Sequence, residues 1–307
     1  VPDCESGVSL LVQASPTAGI DVKASSEAWG NGLIGVAIFS GSLPATRVAV
    51  AGFSPVFLTC ARAVVAALLG AALLALLRQP KPERRDLAPL AIVALGVVIG
   101  FPLLSALALR HITSAHSIVF VSLLPLATAL FGVLRGGERP RPAFWLFSVL
   151  GAATIIVFAL SRGAEASFVG GALMIAAVVV CGLGYAEGAA LSRRLGGWQV
   201  ISWALVLSLP LMVPVAWFTL PVSWHGIGAP AWIGLAYVSV FSMLVGFVFW
   251  YRGLALGGIA SIGQLQLLQP LMGLALAGLL LREPVAWTMI VATGFVVVFV
   301  VFARRYA

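Results

Sequence analysis

Acid is scarce in this chain. Asp and Glu number 10 among 307 residues against 18 Lys and Arg, and the four types together make up 9%. A soluble domain carries about 25% charged residues, so this surface does not mainly face water. Histidine and cysteine, at 3 each, are as thin. Cys4, Cys60 and Cys181 lie far apart, one in a polar tail and two inside apolar runs. That gives neither a metal-ligand spacing nor a disulfide framework, so the cysteines read as small packing residues and no metal or other cofactor is implied. There is no Walker loop and no Ser/His/Asp set that topology would bring together; an enzyme is not expected. The net charge of +8 does not point to nucleic acid, because the basic residues are scattered between apolar runs rather than gathered into a stripe.

Apolar residues are plentiful, at 61%, with a mean hydropathy of +1.10. Runs near 20 residues recur, and about 20 suffice for a helix to cross a bilayer. Breaks at Arg, Pro and Gly divide them into ten candidate spans at about 29–49, 55–77, 87–109, 112–134, 143–161, 169–191, 198–218, 231–251, 259–281 and 285–303. The first is the weakest, because "SGSLPATR" (40–47) interrupts it. The expected class is an all-α polytopic membrane protein whose partners are the lipid bilayer and a small molecule. Residues 1–27 form a polar, mixed-charge tail: "VSLLV" (8–12) is short for a signal-peptide core, and Asp3 and Glu5 stand where basic residues would be needed.

The chain also repeats itself. "SLLPLATALFGVLRGGE" (122–138) aligns without gaps to "LLQPLMGLALAGLLLRE" (267–283), pairing Pro125 with Pro270, Leu134 with Leu279 and Glu138 with Glu283. Leu and Ala matches mean little in this composition; a mid-span Pro followed by a Glu at one fixed distance means more. The organisation expected is the tail 1–27, a five-helix unit at 28–162 and a second at 163–307. An odd number of spans per copy inserts the second copy upside down, as in many secondary transporters. With both termini cytoplasmic, the inside segments hold Lys23, Arg78, Lys81, Arg84, Arg85, Arg135, Arg139, Arg141, Arg193, Arg194, Arg252, Arg304 and Arg305. The outside segments hold only Arg47, Arg110, Arg162 and Arg282. Thirteen against four is the bias of the positive-inside rule.

"LALRHITSAHSIVFVSLLPLATALFGVLRGGE" and its partner "RGLALGGIASIGQLQLLQPLMGLALAGLLLRE" resemble the paired signature of the drug/metabolite transporter superfamily, EamA type. So do "SPVFLTCARAVVAALL" (54–69) and "AYVSVFSMLVGFVFWYRGLAL" (236–256). The resemblance covers roughly residues 29–303 and implies ten helices in two inverted five-helix repeats, in the bacterial inner (plasma) membrane, exporting small metabolites or drugs. Relatives of the YddG type move amino acids, which makes amino acids the first substrate class to consider. Many relatives carry Glu where this chain has Gln269, directly before Pro270; the exchange removes a titratable group. An integral-membrane enzyme acting on a lipid or isoprenoid is the alternative from another class, and a receptor or assembly subunit a more distant one.

Five residues are candidates for contact with substrate. Arg62 is the single Lys or Arg deep within a span, about 11 Å from its outer end at 1.5 Å per residue. A cation there needs a partner in the bundle interior: a substrate carboxylate, or a structural tie between helices. His116, in the second turn of its span, reads either as a group titrating near neutral pH or as a hydrogen-bonded helix-end residue. Trp203, with Tyr185 and Tyr237, lies inside a span and reads as cavity wall or as packing. Trp29, Trp145, Trp198, Trp217, Trp232, Trp250 and Trp287 sit at span ends, where an aromatic belt belongs. Glu187 reads as an interfacial partner of Arg193 and Arg194, or as a proton-coupling carboxylate. Gly184 and Gly188 share a face suited to close helix contact. Glu138 and Glu283 precede Pro-led helix starts and read as local caps.

Gln266 and Gln269 are the remaining two, in "QLQLLQPLMG" (264–273). At 100° per residue, Gln269, Pro270, Gly273 and Ala277 fall within about 60° of Gln266, and Gln264 points away. Pro125 and Pro270 each remove an N–H and leave a carbonyl without its helical partner. Beside two amides, that group suits a helix lining a polar cavity.

Overall fold

A backbone this apolar can be satisfied inside a bilayer by helix, and helix is what the chain forms. The computed structural model describes residues 22–136, 141–161, 167–257 and 262–306, with no strand among them. Seven of the described helices are long and apolar enough to cross a membrane: α1 Ser26–Ala49, α2 Pro55–Leu76, α3 Arg84–Ala108, α4 Ser114–Leu134, α6 Phe168–Leu195, α7 Gly197–Phe218 and α8 Ala229–Leu254. Three further apolar helices are α5 Pro142–Ser161, α9 Leu265–Leu281 and α10 Trp287–Arg305. They fall on the ten apolar runs of the sequence.

Helix starts follow ordinary capping chemistry. Ser54 accepts from Phe57 N at 3.2 Å and is followed by Pro55 at the first helical position of α2. Thr113 accepts from His116 N at 3.2 Å to open α4, and Ser167 from Gly170 N at 3.2 Å to open α6. Glu83 and Asp86 form a capping box at α3. Between α6 and α7, Gly196 stands at φ +90°, a conformation that favours glycine.

Five of the helices are irregular. α1 runs through "SGSLPATR" with a turn at Gly41, so the interruption bends the span without ending it. α4 is broken at Ser122–Leu123, just before Pro125, and α9 opens in a 3₁₀ segment, Gly263–Leu267, just before Pro270. α3 and α8 carry π-helical segments at Ala94–Gly100 and Tyr237–Val245. In each the amide reaches back five residues, Phe101 N to Gly96 O and Gly246 N to Phe241 O.

The packing has a regular plan. α1 lies along α8 and α3 along α6; α2 pairs with α7, α4 with α9 and α5 with α10; α6 also touches α4, and α1 touches α9. Exchanging the first five helices for the last five maps these pairings onto themselves. Glycine permits the closest approaches: a Cβ on Gly96 would stand 2.6 Å from the carbonyl oxygen of Val180, and one on Gly253 would stand 2.8 Å from Gly32 N. Gly184 and Gly188 are both buried, but the shared face serves two partners, Gly184 meeting α3 and Gly188 meeting Tyr251 of α8. Trp29, Trp145, Trp217, Trp232 and Trp287 are exposed, as a belt requires, whereas Trp250 is buried in the core beside Phe39 and Tyr185. A position near the end of an apolar run does not fix which way a side chain points.

Candidate functional site

The capped start of α2 sets Arg62 two turns into the helix, on the face turned to the bundle interior. The residue is 5% exposed. Its Nη2 donates to Ser242 Oγ at 3.1 Å, and Ser242 Oγ in turn lies 2.7 Å from Ser42 Oγ. Ser42 follows the turn of α1, and Ser242 sits inside the π segment of α8. One guanidinium thus joins three helices through two hydroxyls. Among the described residues no carboxylate forms an ion pair with it, and its Nε has no hydrogen-bond partner. A buried cation with an unused donor edge is held ready for an anion, because removing the charge from water is expensive unless something restores it.

Arg62 is one wall of a cavity at the centre of the bundle. Its walls are Phe39, Ser42 and Leu43 of α1, Arg62 of α2, Val97, Phe101 and Pro102 of α3, Leu124 of α4, Cys181 and Tyr185 of α6, Ser242, Met243 and Phe247 of α8, and Gln269 of α9. The cavity is small in this conformation, about 30 Å³. Helices from both halves contribute, and at matching places: Val97 and Met243 lie within the two π segments, Phe101 and Phe247 just beyond them, and Leu124 and Gln269 precede the two prolines.

Helices from the two halves meet beyond the cavity on both sides. Toward the C-terminal end of α8, Phe39 and Phe247 meet edge to face at 4.9 Å, Tyr185 packs on Phe247 at 5.9 Å, and Trp250 and Tyr251 fill the turn beyond. At the opposite end, Glu283 of the α9–α10 connection reaches across to the start of α4. It accepts from Ser114 N at 3.1 Å, Ala115 N at 2.8 Å and Ser114 Oγ at 2.6 Å. Arg47 near the end of α1 adds an ion pair to Glu283 at 3.9 Å and a hydrogen bond to the carbonyl of Leu109. A carboxylate at a helix N-terminus satisfies free amides and complements the dipole.

The family profile described as "EamA-like transporter family" matches residues 29–160 and again 168–305. The chain belongs to the EamA-like transporter family. A Bacillus subtilis (strain 168) protein named "Uncharacterized transporter YdeK" is 64% identical over 279 residues, spanning 91% of this chain and 97% of that one. A crystal structure 18% identical in sequence superposes with a TM-score of 0.66 over 91% of this chain and 99% of the other, a likeness of fold. The protein is a multi-pass membrane transporter.

In this transporter the expected site residues separate. Arg62 and Gln269 line the cavity. Gln266 is buried with its Nε2 unpartnered, but it is not a cavity wall. The stripe projected at 100° per residue assumed α-helix throughout, whereas residues 263–267 turn faster as a 3₁₀ segment. Gly273 and Ala277 are buried with Gln269, but Gly273 packs on Ile118 of α4 rather than opening on the cavity. The side chain of Gln264 lies outside the described residues, as do the structures of Glu138 and Arg139. The amide of Leu268 turns to the carbonyls of Leu265 and Gln266, so the 3₁₀ segment partly satisfies the group that Pro270 leaves.

His116 bonds Thr113 Oγ1 through Nδ1 at 3.0 Å and packs its ring 5.8 Å from that of Phe158; it is a helix-end residue, not a cavity wall. Trp203 packs against the core without reaching the cavity, Tyr185 does reach it, and the Tyr237 hydroxyl donates to Ile38 O at 2.7 Å. Arg194 pairs with the buried Asp86, and Glu187 is itself buried. Glu283 caps α4 instead of its own helix.

Sequence reasoning missed Ser42, Ser242 and the π segments. Serine is common in such spans and carries no sign of which face it occupies. A signal did exist for the second feature: "LGVVIGF" (95–101) and "FSMLVGF" (241–247) both end in Gly-Phe, and the two glycines are where each π segment closes.

Proposed function

We propose that this transporter exports a small amphipathic metabolite bearing a carboxylate, by alternating access, with Arg62 as the counter-ion. Amino acids are the first class to assay. The observation that carries the reading is a guanidinium buried at the centre of a transporter, bonded to Ser242 and through it to Ser42, with no carboxylate paired to it among the described residues. Gln269, Tyr185, Phe101 and Phe247 would complete the site around an apolar body, as pockets for small ligands do.

Two inverted five-helix repeats, 28–162 and 163–307, are part of the same proposal. They are supported by the self-mapping helix pairings, by π segments at matching places in α3 and α8, by breaks before Pro125 and Pro270, and by a family profile that matches each half separately. In this arrangement both termini face the cytoplasm of a bacterial plasma membrane. The closed conformation would be the occluded state: the Glu283 contacts release to open the outer end, and the aromatic cluster of Phe39, Tyr185, Phe247 and Trp250 parts to open the inner one. The π segments give α3 and α8 a place to bend.

Efflux from proteoliposomes, run against a panel of amino acids, other carboxylates and cationic drugs, tests the substrate reading. Transport of a carboxylate should be lost in Arg62→Ala and reduced in Arg62→Lys, which keeps the charge but not the planar fork. Normal transport by a folded Arg62→Ala at normal levels would remove the counter-ion role.

A further inference from the structure

Charge and hydrogen-bond capacity inside the cavity narrow the substrate class further, on the premise that Arg62 holds a carboxylate. Among the described residues, the walls contain one guanidinium and neither Asp nor Glu. A bound monoanion brings the enclosed charge to zero. A bound zwitterion leaves it at plus one and places an ammonium among neutral groups.

The side-chain oxygens that line the cavity around such an ammonium are all neutral. Ser242 Oγ receives Arg62 and shares a proton with Ser42 Oγ, so part of the acceptor capacity of the two hydroxyls is taken, and the Tyr185 hydroxyl lines the wall beside them. Gln269 adds an acceptor with no bond at all: its Oε1 is buried and has no partner. Whichever way its amide is oriented, it offers a neutral donor and a neutral acceptor. An ammonium has three donors to satisfy and a full charge to solvate; a hydroxyl has one donor and no charge. Neutral oxygens suit the second and leave the full charge of the first uncompensated. The rings of Phe39 and Phe247 could stack on a cation, but such contacts recover only part of the hydration that a buried ammonium loses.

We propose that the ligand of this cavity is a monoanionic carboxylate with an apolar body and one neutral hydrogen-bond donor beside the carboxylate, such as a 2-hydroxy acid. Its carboxylate takes the free Nε edge of Arg62, and its hydroxyl donates to Gln269 Oε1. A zwitterionic amino acid of the same shape is discriminated against by its ammonium alone.

Four probes of nearly equal shape separate the contributions: 2-hydroxy-4-methylpentanoate, 4-methylpentanoate, leucine and 3-methylbutylamine. Their dissociation constants for the purified, detergent-solubilised transporter are measured at neutral pH, by calorimetry or by ligand-induced thermal stabilisation. The hydroxy acid should bind at least tenfold tighter than leucine, 4-methylpentanoate should fall below the hydroxy acid, and the amine should not bind. Arg62→Gln should remove binding of every carboxylate. Leucine binding as tightly as the hydroxy acid, with both still dependent on Arg62, would overturn the charge inference and leave the carboxylate reading standing. No carboxylate bound at all, or binding that survives in a folded Arg62→Gln, would overturn that reading and this inference together. If Arg62→Gln does not fold, the rank order of the four probes on the unaltered protein still decides the charge question.

Discussion

Truncating Glu283 to alanine should loosen the end of the bundle that it closes. The carboxylate accepts three hydrogen bonds from the first residues of α4, at 3.1, 2.8 and 2.6 Å. Bonds to a charged acceptor contribute about 1.5–3 kcal/mol each, but they do not add here, because water can reach the freed amides once the side chain is gone. The loss of a helix N-cap, measured as a whole, runs about 0.5–2 kcal/mol. The contact with Arg47 is long, at 3.9 Å, and its arginine is 39% exposed, so it adds little. A shift of about 2 kcal/mol against the closed arrangement follows, roughly thirtyfold in the ratio of open to closed at 1.4 kcal/mol per tenfold. The chain supplies its own reporter, since Cys181 is buried and lines the cavity. With Cys4 and Cys60 replaced, the rate at which an impermeant methanethiosulfonate labels Cys181 from outside the cell should rise by about that factor in Glu283→Ala. It should rise less in Glu283→Gln, which keeps one acceptor. Equal rates in variant and parent, at equal protein levels, would show that the Glu283 contacts do not hold this end shut.

Three further outcomes are expected. Gln269→Leu should impair transport or shift selectivity while leaving expression intact, and Gln266→Leu should do so less, since only Gln269 reaches the cavity; equal effects in a proteoliposome assay would contradict this. Gly96→Ala places a methyl 2.6 Å from the Val180 carbonyl oxygen, whereas Gly132→Ala meets nothing within 4 Å. The first should lower the melting temperature of the purified protein, with a cost of about 1–3 kcal/mol, and the second should not. Single cysteines at Glu83 and His225, in a background without other cysteines, should label from opposite sides of the membrane; labelling of both from outside would end the inverted-repeat proposal.

The chain announced its helices plainly, because the run length needed to cross a bilayer is a property of sequence alone. Pro125 and Pro270 marked the breaks in α4 and α9 for a similar reason: a missing N–H is legible wherever it falls. Arg62 was legible because a deep cation has few places to point. What eluded the sequence depends on neighbours contributed by distant helices. Nothing local distinguishes Ser42 and Ser242, which meet across 200 positions, from serines on lipid-facing turns. His116 and Trp203 looked like site residues by type, yet their helices turn them to other packing. Gln266 illustrates a smaller failure, in which the assumed helical period was wrong by one turn's geometry. Glu283 was read as a local cap because the start of α4, its actual partner, lies far away in the chain.

Counterflow in proteoliposomes is the sharpest test of a carrier built around Arg62, because only a carrier that re-exposes one site to alternate sides speeds a labelled substrate inward against an unlabelled pool. Vesicles preloaded with an unlabelled carboxylate of the class described should take up the labelled compound to a transient overshoot, and Arg62→Ala vesicles should show none. No overshoot for any carboxylate in vesicles holding folded protein, or an overshoot of full size in Arg62→Ala, would contradict a carrier built around that arginine.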